Sequence, residues 1–382
     1  MICEGDMRIA IAGVVTKKIE ENALGGTEAF TYLLVSGLVK RGHEVTLYCA
    51  RGSKTPAQYH VEICEGEDAL GEESNLHFVY PYTLLEIRAI LSDIKKKKFD
   101  ILHVNFLKTF LMSYFANQVD IPILYTMHRD FMARPKIYQV YEKLGFSLNE
   151  HFVYVSKKAQ ELSLLKKNAR YIYNGIDVSK FPISEKNNQE DFLWLSRVDE
   201  LKGSSQAVKA CSKAKVKLLL SGIIDRAKYQ DFFDKEIRPY LTDDIVFEEH
   251  SSFERKLELY QNARAFLFPI QWEEPFGLVL IEAMACGTPV IAFARGAIPE
   301  IVVDGVTGFV INPSDEDKRG DFTIKRTGIG GLVEAVQKLN SLSQEEYAKM
   351  RQACRKRVEE NFTVEKVVDN YEKVYLEILN GK

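Results

Sequence analysis

A chain of 382 residues exceeds what one ordinary hydrophobic core accommodates and points to two domains. Its 46% hydrophobic and 27% charged content is that of a soluble globular protein, and a formal net charge of −3 excludes the global basic field of a nucleic-acid binder. No apolar run approaches the ~20 residues of a spanning helix, and the start Met1-Ile2-Cys3-Glu4-Gly5-Asp6 lacks an apolar signal region, so the expected location is the cytoplasm.

In chain order, Arg8-Ile9-Ala10-Ile11-Ala12 reads as a first strand. Gly25-Gly26-Thr27-Glu28 then opens a helix carrying Phe30, Leu33, Leu34 and Leu38. Strands follow at 44–48, 100–104, 121–125 and 151–155, with an apolar helical stripe from Leu84 to Ile94 closed by Lys95-Lys96-Lys97-Lys98. Ser184 to Asp191 is polar and aperiodic, the candidate linker. A second series of strands runs through 192–195, 216–220, 245–247, 265–268 and 290–293, and an amphipathic helix spans Val364 to Leu379. Strands alternating with helices predict α/β architecture: two Rossmann-like, doubly wound parallel sheets facing across a cleft, with ligands beyond the carboxyl ends of the strands. The expected domains are residues 1–180 and 181–362. The first carries a slight excess of basic residues and the remainder of the chain an excess of acidic ones. Cys3, Cys49, Cys64, Cys211, Cys286 and Cys354 form no Cys-x-x-Cys pair, and several lie in apolar contexts, which favours free thiols over disulfides or a metal site.

The most specific stretch is residues 274–290, Glu-Pro-Phe-Gly-Leu-Val-Leu-Ile-Glu-Ala-Met-Ala-Cys-Gly-Thr-Pro-Val. Pro275 is expected in a first helical turn, Gly277 lets the backbone approach a ligand, and Gly287-Thr288-Pro289 ends the helix. A helix N-terminus seats a phosphate, and Glu274 and Glu282 can accept hydroxyl donors. The pair does not suit glycoside hydrolysis: eight helical residues rise about 12 Å, against roughly 5–9.5 Å between hydrolase carboxyls. Arg197 and Lys202, in Trp194-Leu195-Ser196-Arg197-Val198-Asp199-Glu200-Leu201-Lys202-Gly203, place two cations at a strand end, where a fork and a point charge can bind phosphate. A surface ion pair with Asp199 or Glu200 is the alternative for these cations. His128 closes the strand Leu124-Tyr125-Thr126-Met127.

The Glu-x7-Glu segment resembles the donor-site signature of retaining GT-B glycosyltransferases of the family 4 type, the glycosyl transferases group 1. Arg197-x4-Lys202-Gly203 resembles that family's diphosphate clamp, and Gly25-Gly26-x-Glu28 its turn beside the donor phosphates and the acceptor. The resemblance implies that Glu274 holds the transferred sugar, Glu282 the ribose hydroxyls, and His128 touches the donor sugar. It makes Arg197, Lys202, Glu274 and His128 the catalytic candidates. Gly25, Gly26, Arg197, Lys202, Glu274, Phe276, Gly277, Leu278 and Glu282 are the nucleotide-sugar candidates. His103 matches another strand-end position, and Asn174-Gly175-Ile176-Asp177 the turn before a domain crossover. The C-terminal helix, residues 363–382, is expected to return to the first domain. The implied reaction moves a hexose-type sugar from a nucleotide diphosphate, UDP preferred and GDP-mannose the other option, with retention and without a metal or other cofactor. The implied acceptor is a glycan, a lipid-linked sugar or a small molecule.

Glu28, Arg129 and Arg134, the last two among Phe131, Met132 and Lys136, are candidates for the acceptor side. The Lys95–Lys98 run is better read as a solvated helix end, and it leaves open a peripheral contact with the inner face of a membrane. Asp315-Glu316-Asp317 has the form of a metal motif but follows Asn312-Pro313-Ser314, where turns and caps are the ordinary outcome. Departures from the family pattern are Ser196 in place of glycine, Ala297 in Gly296-Ala297-Ile298-Pro299-Glu300, Glu248-Glu249-His250 after a strand, and a long charged loop from Asp315 to Lys325. The competing readings are a sugar-nucleotide epimerase or phosphorylase on the same fold, and a catalytically silent sugar-nucleotide binder. The missing Gly-x-Gly-x-x-Gly disfavours a nicotinamide-dependent reductase.

Overall fold

The computed structural model describes residues 6–23, 25–65, 76–105, 110–129, 134–166, 168–183, 191–249 and 252–381. Most of the expected linker, Phe131, Met132, His250 and Cys3 lie outside them. The chain divides into two compact units, residues 1–175 with 364–382, and residues 176–363.

The first unit contains β1 (Arg8–Ala12), α1 (Gly26–Lys40), β2 (Glu44–Cys49), β3 (Tyr59–Glu62), α2 (Leu76–Ile94), β4 (Ile101–Val104), α3 (Phe110–Ser113), β5 (Ile123–Met127), α4 (Pro135–Leu144), β6 (Glu150–Tyr154), α5 (Lys157–Leu162) and β7 (Ala169–Tyr171). Its sheet runs β3-β2-β1-β4-β5-β6-β7, every pairing parallel. The inner strands are buried on both faces, which is why they read as continuous apolar runs. Ile9, Ile11, Ile101, Leu124 and Val153 face Phe30, Leu34 and Leu38 of α1. Ala10, Leu102, Val104, Tyr125 and Phe152 face Ile87 and Ile90 of α2. Two strands of this unit went unread in the sequence. β3 is a polar, largely exposed edge, and β7 is a three-residue edge. The fourth strand of the central series starts at Ile123, after Pro122, whose carbonyl accepts from Leu102 at 3.0 Å.

The second unit contains β8 (Phe192–Leu195), α6 (Ser204–Ala214), β9 (Leu218–Gly222), α7 (Arg226–Glu236), β10 (Ile245–Glu249), α8 (Phe253–Asn262), β11 (Ala265–Phe268), α9 (Leu278–Ala285), β12 (Val290–Phe293), α10 (Ile298–Ile301), β13 (Gly308–Ile311), α11 (Gly328–Asn340) and α12 (Gln344–Asn361). Its sheet runs β10-β9-β8-β11-β12-β13, again parallel throughout. Strand order turns between β8 and β11, which places that unit's ligand crevice at their carboxyl ends.

The last helix, α13 (Val364–Leu379), belongs to the first unit. Its Val367, Val368, Tyr371, Val374, Tyr375 and Ile378 are buried against α1 and the sheet. The packing is close: a Cβ on Gly37 would stand 2.2 Å from Val368. Glu372 accepts from Arg41 at 2.7 Å and pairs with His43 Nε2 at 2.8 Å. Cys49, Cys211, Cys286 and Cys354 are buried free thiols, and Cys64 is a half-buried one. Among the described residues no helix is long and apolar enough to cross a membrane.

Candidate active site

The helix expected after Glu274 begins later than the proline suggested. Gly277, at φ +97°, is the N-cap, and α9 starts at Leu278, so Pro275 precedes the helix instead of entering its first turn. The left-handed conformation suits glycine and cannot continue a helix. No side chain caps this end, so the first N–H groups of α9 and the positive end of its dipole form a seat for an anion.

Glu274 is fixed through its backbone. Its carbonyl accepts from Ala297 N at 2.9 Å. Gly296, at φ +58°, passes so near that a Cβ there would lie 2.1 Å from Glu274 O. The Glu274 carboxylate stands 3.6 Å from Lys202 Nζ, which also lies 5.0 Å over the Trp272 ring. The Lys202 loop is tied down in turn. Asp199 Oδ1 accepts from the N–H groups of Leu201 and Lys202 at 2.9 Å, and Trp194 Nε1 donates to Lys202 O at 3.0 Å. Asp199 is therefore a backbone acceptor, and among the described residues the surface ion pair weighed for this motif does not form with it. Arg197 is exposed on the same loop and makes no salt bridge among the described residues. Its charge reaches Lys228 at the start of α7, which is held by Asp225 at 2.9 Å.

Glu282, nearly buried on α9, faces α8. Lys256 Nζ donates to one carboxylate oxygen at 2.9 Å and Tyr260 OH to the other at 3.1 Å. Burial, and then the charge of Glu282, push the Tyr260 hydroxyl well above its usual range, which keeps it a donor. An ionised carboxylate has about four lone-pair sites, so both oxygens retain capacity for further hydroxyls.

The long charged loop is built into this region. Arg319 donates to Glu273 at 2.7 Å and to Asp317 at 2.7 Å, and Arg295 lies 3.5 Å from both carboxylates. Glu273 also accepts from Gly296 N at 2.7 Å. Asn312 holds the loop by accepting from Arg319 N at 2.7 Å and donating to Gly320 O at 2.9 Å. Asp317, from the Asp315-Glu316-Asp317 motif, is thus an arginine partner, while Asp315 accepts from Thr327 Oγ1 at 3.2 Å. The other departure is also occupied, since Glu248 binds Arg255 of α8 through two hydrogen bonds of 2.7 and 2.6 Å.

In the first unit Gly25 is the N-cap of α1, at an ordinary φ of −80°. Its lack of a side chain makes room for the buried Glu28, whose carboxylate folds over it. Phe30, one turn on, meets the ring of His128 edge-on at 4.7 Å, so the start of α1 and the end of β5 come together. His128 is half-buried, and its Nε2 is buried without a hydrogen-bond partner among the described residues. His103 is consumed internally, with Nδ1 2.5 Å from Tyr375 OH and Nε2 2.7 Å from Thr126 Oγ1, which meets Tyr371 OH at 2.8 Å. Burial pushes the His103 imidazole down to about 3 and lowers His128 likewise. Arg129 and Arg134 are exposed, Arg134 as the N-cap of α4.

Lys256, Tyr260, Trp272, Glu273 and Arg319 were not singled out in the sequence. Lys256 and Tyr260 are four apart on α8, a spacing that puts them on one face, but nothing local ties that face to Glu282.

Comparison with known proteins agrees with this architecture. The family described as Glycosyltransferase Family 4 matches residues 24–180, and Glycosyl transferases group 1 matches residues 176–321. The N-acetyl-alpha-D-glucosaminyl L-malate synthase of Bacillus anthracis is 25% identical over 94% of this chain and 97% of its own length. Spore coat protein SA of Bacillus subtilis is 22% identical over 97% and 99%. Among solved structures, the sucrose-phosphate synthase of Thermosynechococcus elongatus superposes with a TM-score of 0.80 at 19% identity, covering 98% of this chain and all of that one. Anabaena HepE, solved with UDP and glucose, gives 0.71 at 16% identity over 96% and 99%. With both halves of the chain matched and the paired parallel sheets shared along nearly its whole length, the protein belongs to the family 4 glycosyltransferases and is an enzyme of the GT-B fold.

Proposed function

We propose that the protein transfers a hexose-type sugar from a nucleotide-diphosphate sugar, UDP-linked in preference to GDP-mannose, with retention at the anomeric carbon and no requirement for a divalent metal. The observation that carries this reading is the Lys202–Glu274 pair set immediately before the uncapped N-terminus of α9. As the glycosidic bond breaks, negative charge grows on the leaving phosphate. Arg197, Lys202 and the first N–H groups of α9 stabilise it, and fixed donors of this kind contribute about 2.7–4 kcal/mol each. Glu274 takes hydroxyls of the transferred sugar and Glu282 those of the ribose. His128 supplies a neutral imidazole from the first unit. No side chain is assigned as nucleophile: the acceptor attacks from the face the phosphate leaves, and the phosphate oxygen takes its proton.

The UDP preference is supported by the HepE structure with UDP and glucose. A small-molecule acceptor is supported by the B. anthracis relative, whose name joins a sugar to L-malate. For a lipid-linked acceptor, the exposed lysines after α2 are the surface for a peripheral membrane contact.

Calorimetric titration with UDP, GDP and ADP, without metal and then with magnesium, tests the reading. One diphosphate binds near micromolar, about −8 kcal/mol, unchanged by magnesium and lost in Glu282→Ala. Binding of none of them refutes the donor site. Turnover of Arg197→Ala or Lys202→Ala within a few-fold of the parent refutes the clamp.

A further inference from the structure

Asn105, the residue after β4, is fully buried, yet neither its Oδ1 nor its Nδ2 has a hydrogen-bond partner among the described residues. Buried carboxamides are nearly always satisfied, and one left open is destabilising unless something else completes it. Its position is specific. Asn105 N donates to Ala12 O at 2.8 Å, so it lies between the ends of β1 and β4. There the strand order of the sheet turns, the place where sheets of this kind take ligands. β1 continues at that point as Gly13, where a Cβ would stand 2.5 Å from Ile19 Cδ1 and 3.0 Å from Tyr48 O, so the strand end contributes no side chain.

Alternation along the strands sets Asn105 on the same face as His103, and His128 on the same face as Thr126. His103 and Thr126 are used up by each other and by Tyr375 and Tyr371 of α13. The polar column between sheet and helices therefore ends, at the carboxyl edge, in two open groups: the Asn105 carboxamide and His128 Nε2.

We propose that Asn105 is a ligand contact of the first unit that binds hydroxyls of a sugar or similar polyol, donating through Nδ2 and accepting through Oδ1. This rests on the glycosyl-transfer reading and adds the chemistry that the first unit selects. A carboxamide and a neutral imidazole on one face of the sheet offer both donors and acceptors without charge, which matches neutral hydroxyls. A carboxylate or phosphate would call for a cation here, and the buried polar groups of this column supply none.

Full-length Asn105→Ala and Asn105→Ser proteins test the assignment by thermal unfolding, by titration with UDP and UDP-glucose, and by saturation-transfer NMR of free glucose, mannose and glycerol at saturating UDP. The variants unfold at or above the parent's temperature, since they lose an unsatisfied group, and they bind UDP as the parent does. If the hydroxyls belong to the donor sugar, UDP-glucose affinity falls about tenfold. If they belong to the acceptor, UDP-glucose is unchanged and saturation transfer to the free polyol is lost. Hydroxyl ligands bound by the variants as by the parent, or by neither, overturn the proposal, as does a lowered unfolding temperature with unchanged binding. Failure of the parent to bind UDP counts instead against the donor site of the second unit, and the free-polyol arm still decides Asn105.

Discussion

Replacing Lys256 by methionine keeps the length of the side chain and removes the charge that faces Glu282. The pair is secluded, at 15% and 12% side-chain exposure and 2.9 Å separation, so solvent screening does not erase its value. Removing one partner of a buried pair costs about 3–5 kcal/mol because the other charge is left uncompensated. Two features of the site adjust that range. Tyr260 OH still donates at 3.1 Å, which places the loss at the lower end. Lys256 also lies 5.2 Å over the Phe253 ring and 5.9 Å over Phe181, and those contacts are worth about 0.5–1 kcal/mol at exposed sites. Methionine replaces their packing but not their electrostatics, so the expected deficit is about 3 kcal/mol at neutral pH.

Urea unfolding followed by tryptophan fluorescence reads this out selectively. The chain has 2 tryptophans, and both Trp194 and Trp272 lie in the second unit. Combining Lys256→Met with Glu282→Gln removes the stranded charge and recovers most of the loss. A deficit below about 1 kcal/mol, the range of a surface pair, would refute the argument. So would a double variant less stable than the single one.

Gly296→Ala puts a Cβ 2.1 Å from Glu274 O at a φ of +58°, so unfolding titrations should show a loss above about 1–3 kcal/mol, with UDP-glucose binding weakened more than UDP binding. Asp317 is held below the usual carboxylate range, first by its hydrogen bond from Arg319. Its contribution is therefore present above its unfolded pKa and lost as pH falls through the folded one. The stability gap between the parent and Arg319→Ala should close on acidification below about pH 4, the ordinary aspartate range, and a gap independent of pH would refute the coupling. Glu274→Gln should reduce the affinity of UDP-glucose about tenfold or more, since hydrogen bonds to charged groups are worth about 1.5–3 kcal/mol. UDP affinity should stay unchanged or rise, because Lys202 loses its internal partner, and an equal loss for both ligands would refute the assignment.

The inner strands and the helix that follows Glu274 were legible because each carries its own signal. Val290–Phe293 reads as a buried strand from composition alone, and Gly287-Thr288-Pro289 marks the end of a helix without reference to the rest of the chain. What was hidden is either local weakness or distance. β3, Tyr-His-Val-Glu, has the polar pattern of an edge, and β13 is four residues behind a turn. Pro275 misled because proline favours a first turn, whereas the left-handed Gly277 two residues later decides where the helix begins. Lys256 is separated from Glu282 by 26 residues, Arg319 from Glu273 by 46, and Tyr375 from His103 by 272. Such contacts follow from sheet order and helix return, which periodicity does not encode.

The partners of the second unit's site carboxylates bear on how a donor would load. In the second unit the carboxylates come with internal cations: Lys202 for Glu274, Lys256 and Tyr260 for Glu282, Arg319 for Glu273. On the proposed assignment, Lys202 exchanges Glu274 for phosphate oxygens when a nucleotide diphosphate arrives. That exchange takes a cation from a half-buried carboxylate, and hydroxyl donors from an attached sugar offset the loss. The diphosphate and the sugar are thereby coupled through one carboxylate. UDP alone binds against the cost of the broken Lys202–Glu274 contact, while a UDP-sugar binds with that cost offset. Product release is favoured by the same term, because once the sugar has left, re-forming the internal pair displaces the diphosphate.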